Sequence, residues 1–251
     1  MELDGKVILI TGSSGIGAST ARLAAVYGAR VFVCSLDPAQ SSSLAEELGG
    51  SCYAGDLREV QHAERAVAQC ISEFGPIDCL FNIAGGSGRS FGDGPLHLMS
   101  DDGWEETLAM NLLPAFYVTR AVLRRMIPRG AGAIVNATSV AAYSPEPRHF
   151  ATHAYAAAKG ALIALTKSMA AYYAPYGIRV NAIAPGLTRT PMSLRAQTDL
   201  EILSMMKTKQ PLAGSLIDPD DVARAAIFLM SDASRYVTGQ VLGVDAGWEV
   251  S

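Results

Sequence analysis

The strongest constraint on the fold of this chain is a repeated alternation between short apolar runs and helix-length segments. The runs are KVILI from Lys6, RVFVC from Arg30, SCYA from Ser51, DCLFN from Asp78, GAIVNAT from Gly132, IRVNAI from Ile178 and QVLGVD from Gln240. They are rich in Val and Ile and lack strict polar alternation, as strands covered on both faces do. Between them the pattern predicts helices over about 16–28, 38–48, 58–74, 101–129, 153–175 and 218–231. Parallel strands need crossover connections, and helices in that role pack on both faces of the sheet. The expected fold is α/β: a doubly wound parallel sheet of about seven strands, in one domain spanning residues 1–251.

Two longer stretches carry neither pattern, about 84–100 and 186–215. Long loops in a compact domain usually carry function. The first holds GGSGRSFGDGP. The second has Met192, Met205 and Met206 between Gly186 and Gly214. Methionine suits a surface that repacks around a ligand, so a substrate lid is expected over about 187–215.

Hydrophobic residues make up 49% of the chain and charged ones 18%, yet no apolar run approaches the ~20 residues of a membrane span. The apolar content therefore reads as buried strands and helices. A formal net charge of −4 argues against nucleic acid or an anionic membrane as partner. The opening MELDGKVILITG enters a strand almost at once, and no signal peptide is expected. Cys34, Cys52, Cys70 and Cys79 form no C-x-x-C pair. They read as small buried thiols in a reducing cytoplasm, and neither a disulfide nor a metal site is expected.

The first strand ends in TGSSGIG, Thr11 to Gly17, and a helix follows. Glycines there let the backbone turn tightly and approach a pyrophosphate, and the helix start offers free N–H groups. A second feature is YAAAK, Tyr155 to Lys159, in an alanine-rich helix. Positions i and i+4 share a face, roughly 5–6 Å apart at Cβ. Taken alone, the pair fits a surface tyrosine on a lysine stem as well as a working phenol and ammonium.

With these motifs in this order, the chain resembles the short-chain dehydrogenase/reductase family over essentially its whole length. The resemblance implies a Rossmann-like fold and NAD(P)-dependent oxidoreduction. The family's turn is T-G-x3-G-x-G. Here only Ser13 and Ser14 separate Gly12 from Gly15, one residue fewer, and the resemblance puts Gly12, Ser14, Gly15, Ile16 and Gly17 at the cofactor. NIAG stands where the family has N-N-A-G, which brings in Asn82, Ala84 and Gly85, with Ile83 replacing an amide by packing. GDL matches the segment whose acid, here Asp56, meets the adenine edge, with Leu57 beside it. NAIAPGLTRTP from Asn181 matches the segment beside the nicotinamide. It adds Pro185 and Gly186, and Thr188 and Thr190 would reach the phosphate or carboxamide.

The resemblance also assigns a catalytic set: Asn111, Ser139, Tyr155 and Lys159. Moving a hydride between an alcohol and nicotinamide also moves a proton on oxygen. A free tyrosine, with a pKa of about 10, is a poor base at neutral pH. A neighbouring ammonium and an oxidised nicotinamide are expected to lower it toward the operating pH, with Tyr155 as general acid/base. Ser139 would hold the substrate oxygen, and Asn111 a water linking Lys159 to solvent. Ser139 and Tyr155 stand 16 apart, wider than the family's spacing, and the extra residues fall in SPEPRHFATH, Ser144 to His153. They should bulge over the substrate pocket, with His149 and His153 on its surface.

Cofactor choice is read at the end of the second strand, VFVCSLDP. Ser35 takes the family's usual acidic position, no Arg or Lys follows it, and Ser14 stands where many phosphate-preferring members carry a base. Asp37 is the nearby charge, and a 2′-phosphate would meet an anion and no cation. The expectation is NAD, with NADP possible. Asp37 also reads as a turn residue opening the next helix at Pro38. The C-terminal YVTGQVLGVDAGWEVS ends in an apolar tail with Trp248, and the resemblance implies subunit contact there and a homotetramer. The expected function is hydride transfer between nicotinamide and a small-molecule secondary alcohol or ketone. The alternatives are an NADPH-dependent 3-oxoacyl-type ketone reductase and a catalytically inactive nucleotide-binding regulatory module.

Overall fold

A computed structural model describes residues 3–251. Seven strands form one parallel sheet: β1 (Val7–Thr11), β2 (Arg30–Ser35), β3 (Ser51–Ala54), β4 (Cys79–Asn82), β5 (Gly132–Ala137), β6 (Ile178–Pro185) and β7 (Val241–Val244). Their order is β3-β2-β1-β4-β5-β6-β7, with every pair parallel. The order reverses between β1 and β4, so the crevice beyond the C-terminal ends of these two strands is the place for a ligand.

Successive residues of β1 show why its apolar run is unbroken. Ile8 and Ile10 face α1 (Gly15–Val26), α2 (Pro38–Leu48) and α8 (Pro219–Met230), while Val7 and Leu9 face α3 (Val60–Phe74), α4 (Asp101–Met126) and α5 (His153–Tyr173). Side chains alternate across a strand, so a sheet covered on both faces needs apolar residues at every position. Alanines on the helices keep these layers close: Ala18, Ala21 and Ala24 of α1, and Ala63 and Ala66 of α3, are buried.

The stretch 186–215 is not irregular as its sequence suggests. It contains α6 (Leu194–Thr198) and α7 (Leu200–Lys209). The two helices are short, and Asp199 caps α7 by accepting from the N–H groups of Glu201 and Ile202. Their apolar residues pack on a small third cluster of Val140, Ala196, Ile202, Met206 and Trp248, too sparse a stripe to stand out in sequence. Gln210 anchors the base of this segment. It is fully buried, its Oε1 accepts from Leu187 N–H at 2.6 Å, and its amide donates to the Leu187 and Ser215 carbonyls. Among the described residues no helix is long and apolar enough to cross a membrane.

Candidate active site

The C-terminal ends of β1, β4, β5 and β6 surround a cavity of about 300 Å³. Its floor is the glycine turn, with Ser14, Gly15 and Ile16 in the wall. No side chain caps the start of α1 at Ser14, so its first-turn N–H groups face the crevice free of a protein carboxylate or hydroxyl. A Cβ on Gly17 would lie 2.5 Å from the Gly12 carbonyl oxygen, and one on Gly15 would lie 2.8 Å from Thr190 Cγ2. The shortened turn thus closes on itself without losing either close approach. Ile83 packs over it, 3.1 Å from where a Gly12 Cβ would stand. Thr11 Oγ1 accepts from the N–H groups of Ile83 and Ala84, joining the turn to the end of β4. An uncapped helix N-terminus behind a turn that only glycine fits suits a dinucleotide pyrophosphate.

Across the cavity lie Ser139, Tyr155 and Lys159, with Gly85, Pro185, Gly186, Thr188 and Thr190 around them. Ser139 and Tyr155 both line the cavity, and the Ser139 hydroxyl accepts from Ala141 N–H at 3.2 Å. Lys159 Nζ donates to the Ala137 carbonyl at 2.9 Å and lies 5.5 Å from the Tyr155 ring centroid. Alanines at 156–158 leave room for this, and Lys159 is only 4% exposed.

In the protein by itself, burial dominates the electrostatics of this pair. Burial pushes the Tyr155 phenol up to about 12, partly opposed by the nearby Ser139 hydroxyl. Burial also draws the Lys159 ammonium down to about 8. Loss of hydration outweighs the attraction between the two groups, because Lys159 is directed at the Ala137 carbonyl rather than at the phenol oxygen.

Asn111 lies beside the cavity, behind the turn that follows β4. It is fully buried, and its amide is occupied by protein: Nδ2 donates to the carbonyls of Gly86 and Thr107 at 2.9 and 2.8 Å, and Oδ1 accepts from Gly86 N–H. With both amide hydrogens so used, the side chain clamps the turn after β4 onto α4. Gly85 sits against it, with no space for a Cβ. The Asn82 side chain is likewise turned away from the cavity. Its amide donates to Thr119 and to Asn136, and Asn136 donates to Thr166, which ties β4 and β5 to α4 and α5.

The remaining assigned residues lie at the far edge of the crevice. Ser35 pairs in register with Ala54, which puts Asp37, Asp56 and Leu57 at one end of the sheet. Asp37 caps α2, accepting from Gln40 N–H at 3.1 Å, so the turn-residue reading of this acid describes its contact. Ser35 shares hydrogen bonds with Ser13 and Ser41. Asp56 is paired with Arg58 at 2.7 Å, and that contact holds its carboxyl below the usual range.

Other contributors escaped the sequence reading. Asp93, 6% exposed, accepts from Ala154 N–H and Tyr155 N–H, both at 3.0 Å, and caps the start of α5 from the 84–100 loop. Thr152, at the usual capping position, makes no such bond. Trp248, expected at a subunit edge, is buried in its own chain. It lines the cavity, donates from Nε1 to the Ser144 carbonyl at 2.9 Å and packs edge-on against Phe150. The segment after Ser144 does overhang the cavity, through Glu146, Phe150 and Thr152. His149 and His153 place no side chain in its lining, and His153 Nδ1 accepts from Leu96 N–H.

Comparison with known proteins agrees with this geometry. A family model described as Enoyl-(Acyl carrier protein) reductase matches residues 10–249. The galactitol 2-dehydrogenase of Cereibacter sphaeroides is 37% identical, over 99% of this chain and 96% of its own length. The chain belongs to the short-chain dehydrogenase/reductase family. A 3-oxoacyl-(acyl-carrier-protein) reductase of Vibrio harveyi is 36% identical, over 98% of both chains. The crystal structure of a gluconate 5-dehydrogenase from Burkholderia cenocepacia J2315, in complex with NADP and tartrate, superposes with a TM-score of 0.92. It is 34% identical and covers 100% of this chain and 97% of that one. As a member of the short-chain dehydrogenase/reductase family, the protein is an NAD(P)-dependent oxidoreductase.

Proposed function

We propose that this enzyme moves a hydride between nicotinamide and a secondary alcohol or ketone, with Tyr155 as the proton-transferring group. The observation that carries this reading is that Ser139, Tyr155 and Lys159 line one cavity, with the Lys159 ammonium 5.5 Å from the Tyr155 ring centroid, facing the uncapped start of α1. When bound, the nicotinamide supplies the hydride or takes it up. Ser139 positions the substrate oxygen against the phenol. Tyr155 gives a proton to that oxygen in reduction and takes it back in oxidation. Lys159 holds positive charge near the developing phenolate, an electrostatic help that is strongest once water is excluded. Asn111 and Asp93 act through position: one fixes Gly85 and Gly86, the other the first turn of α5.

NAD is proposed as the preferred cofactor. No Lys or Arg lies in Ser35–Gln40, and Asp37 adds an anion at that edge. With both cofactors and a broad alcohol and ketone panel, kcat/KM for NAD is expected to exceed that for NADP. A ratio below one would reverse the assignment, and absence of turnover throughout would favour a nucleotide-binding regulatory role. Leu36→Arg is expected to raise NADP affinity roughly ten- to a hundredfold, since a guanidinium offers paired donors to a 2′-phosphate.

We further propose that the protein works in the cytoplasm as a homotetramer. Trp248 no longer supports the interface, but exposed aromatic residues on the outer helices do: Trp104 and Phe116 on α4, and Tyr172 on α5. Light scattering at micromolar concentration is expected to give four times the chain mass, and a monomeric mass would exclude it.

A further inference from the structure

Two arginines that line the cavity share one acceptor, the carbonyl oxygen of His149. It accepts from Arg89 Nη2 at 2.9 Å and from Arg195 Nη2 at 2.9 Å. Arg89 belongs to the loop after β4, Arg195 to α6, and His149 to the segment that follows Ser144. Both arginines line the same cavity as Ser139 and Tyr155.

Two cations brought to one neutral acceptor form a poor arrangement for stability alone. They repel each other, and a carbonyl gives each less than a carboxylate would. Arg89 has no ion pair among the described residues, and Arg195 has a loose one, 3.7 Å from Asp199. Burial and the nearby Arg195 charge depress the Arg89 pKa.

The two buried carboxylates in this region are already engaged. Glu146 accepts from the N–H groups of Arg148 and His149 at 3.0 and 2.7 Å, and Asp93 from those of Ala154 and Tyr155. Each spends hydrogen bonds on backbone donors and makes no ion pair with the guanidiniums, although the Asp93 charge partly favours the Arg89 cation. The base of Arg89 is also fixed, because Gly88 adopts φ 70° and presses on Thr107 with no space for a Cβ. Arg195 is held over the Phe150 ring, 5.7 Å from its centroid.

We infer that Arg89 and Arg195 select a substrate carrying an oxyanion, a carboxylate or a phosphate ester, which replaces the His149 carbonyl as their shared acceptor. The inference rests on the alcohol/ketone reading of this cavity and names the class of alcohol it takes. An oxyanion presents two or more oxygens to two planar forks and relieves the repulsion between them. It also keeps α6 tied to the loop after β4, as the His149 carbonyl does in its place.

The test uses cofactor-loaded enzyme and three probes of equal chain length: an alditol, the corresponding aldonate and the corresponding alditol phosphate. Calorimetry is expected to show one of the two anions binding roughly ten- to a hundredfold tighter than the alditol. Added salt should shrink that advantage. Arg89→Gln and Arg195→Gln are each expected to remove most of it, and the corresponding Lys variants to keep part of it. The anion that wins identifies the head group. Equal affinity for all three probes, or an advantage that survives both Gln substitutions, would overturn the inference. Turnover tells the two readings apart. Anion-selective binding without hydride transfer leaves the arginine assignment standing and defeats the reaction, whereas turnover of neutral alcohols with no anion preference does the reverse.

Discussion

Replacing Tyr155 by Phe is expected to lower kcat by roughly 10²–10⁴-fold, the usual contribution of a positioned general acid or base. The ring keeps its packing and loses only a hydroxyl that faces the cavity, so the fold has little reason to change. The direction of the pH dependence follows from the phenol's pKa of about 12 in the free enzyme. Below that value the base form needed for alcohol oxidation is scarce and grows with pH. The acid form needed for ketone reduction is already dominant. Oxidation kcat/KM should therefore rise with pH over the range in which the protein is folded, and reduction should not. In Tyr155→Phe the rise should disappear along with the rate. A variant that keeps activity within tenfold of the parent, with the same pH slope, would show that the proton goes elsewhere.

The parts of this site that sequence could disclose are those fixed by local chemistry. Val7 to Thr11 is apolar at every position because both faces of β1 are covered, and a five-residue window reveals that. Tyr155 and Lys159 meet because helical spacing brings them together, whatever surrounds them. Asp93 could not be read this way. It lies 62 residues from Tyr155, in a Gly-Asp-Gly stretch that looks like any turn, and its capping role exists only after the loop folds back on α5. Trp248 misled for a related reason. An aromatic near an apolar C-terminus suits an interface and a pocket wall equally, and only the position of Ser144 and Phe150 decides between them. The meeting of Arg89 and Arg195 depends on a backbone carbonyl, which no side-chain pattern encodes. The direction in which burial moves the Tyr155 and Lys159 pKa values depends on depth, which spacing does not encode. Spacing reveals that an ammonium is near a phenol, but not that the ammonium is buried and the phenol partly so.

Lys159→Met should make the protein more stable while largely disabling it. The ammonium is buried, with the Ala137 carbonyl as its hydrogen-bond partner in the protein, and burial draws its pKa from 10.5 to about 8. A shift of that size corresponds to about 3 kcal/mol against the charged form in the folded state. Between pH 8 and 10.5 the unfolded chain binds more protons at this position than the folded one. The lysine's contribution to stability therefore rises with pH across that window, and its full penalty applies below pH 8. Methionine fills a similar volume without a charge, at the loss of one hydrogen bond worth about 1 kcal/mol. At pH 7 the variant is expected to gain roughly 1–3 kcal/mol in denaturant unfolding. That gain should fade as the pH is raised toward 10.5, because the parent recovers what the variant never lost. Activity should drop at least 10²-fold, since the positive charge beside the phenolate is gone. A chain that keeps such a lysine gives up stability for catalysis, which is the usual direction of that exchange at an active site. If Lys159→Met is less stable than the parent at pH 7, and the pH dependence of the two proteins is parallel, burial of this ammonium carries no such cost and its role in the site must be structural.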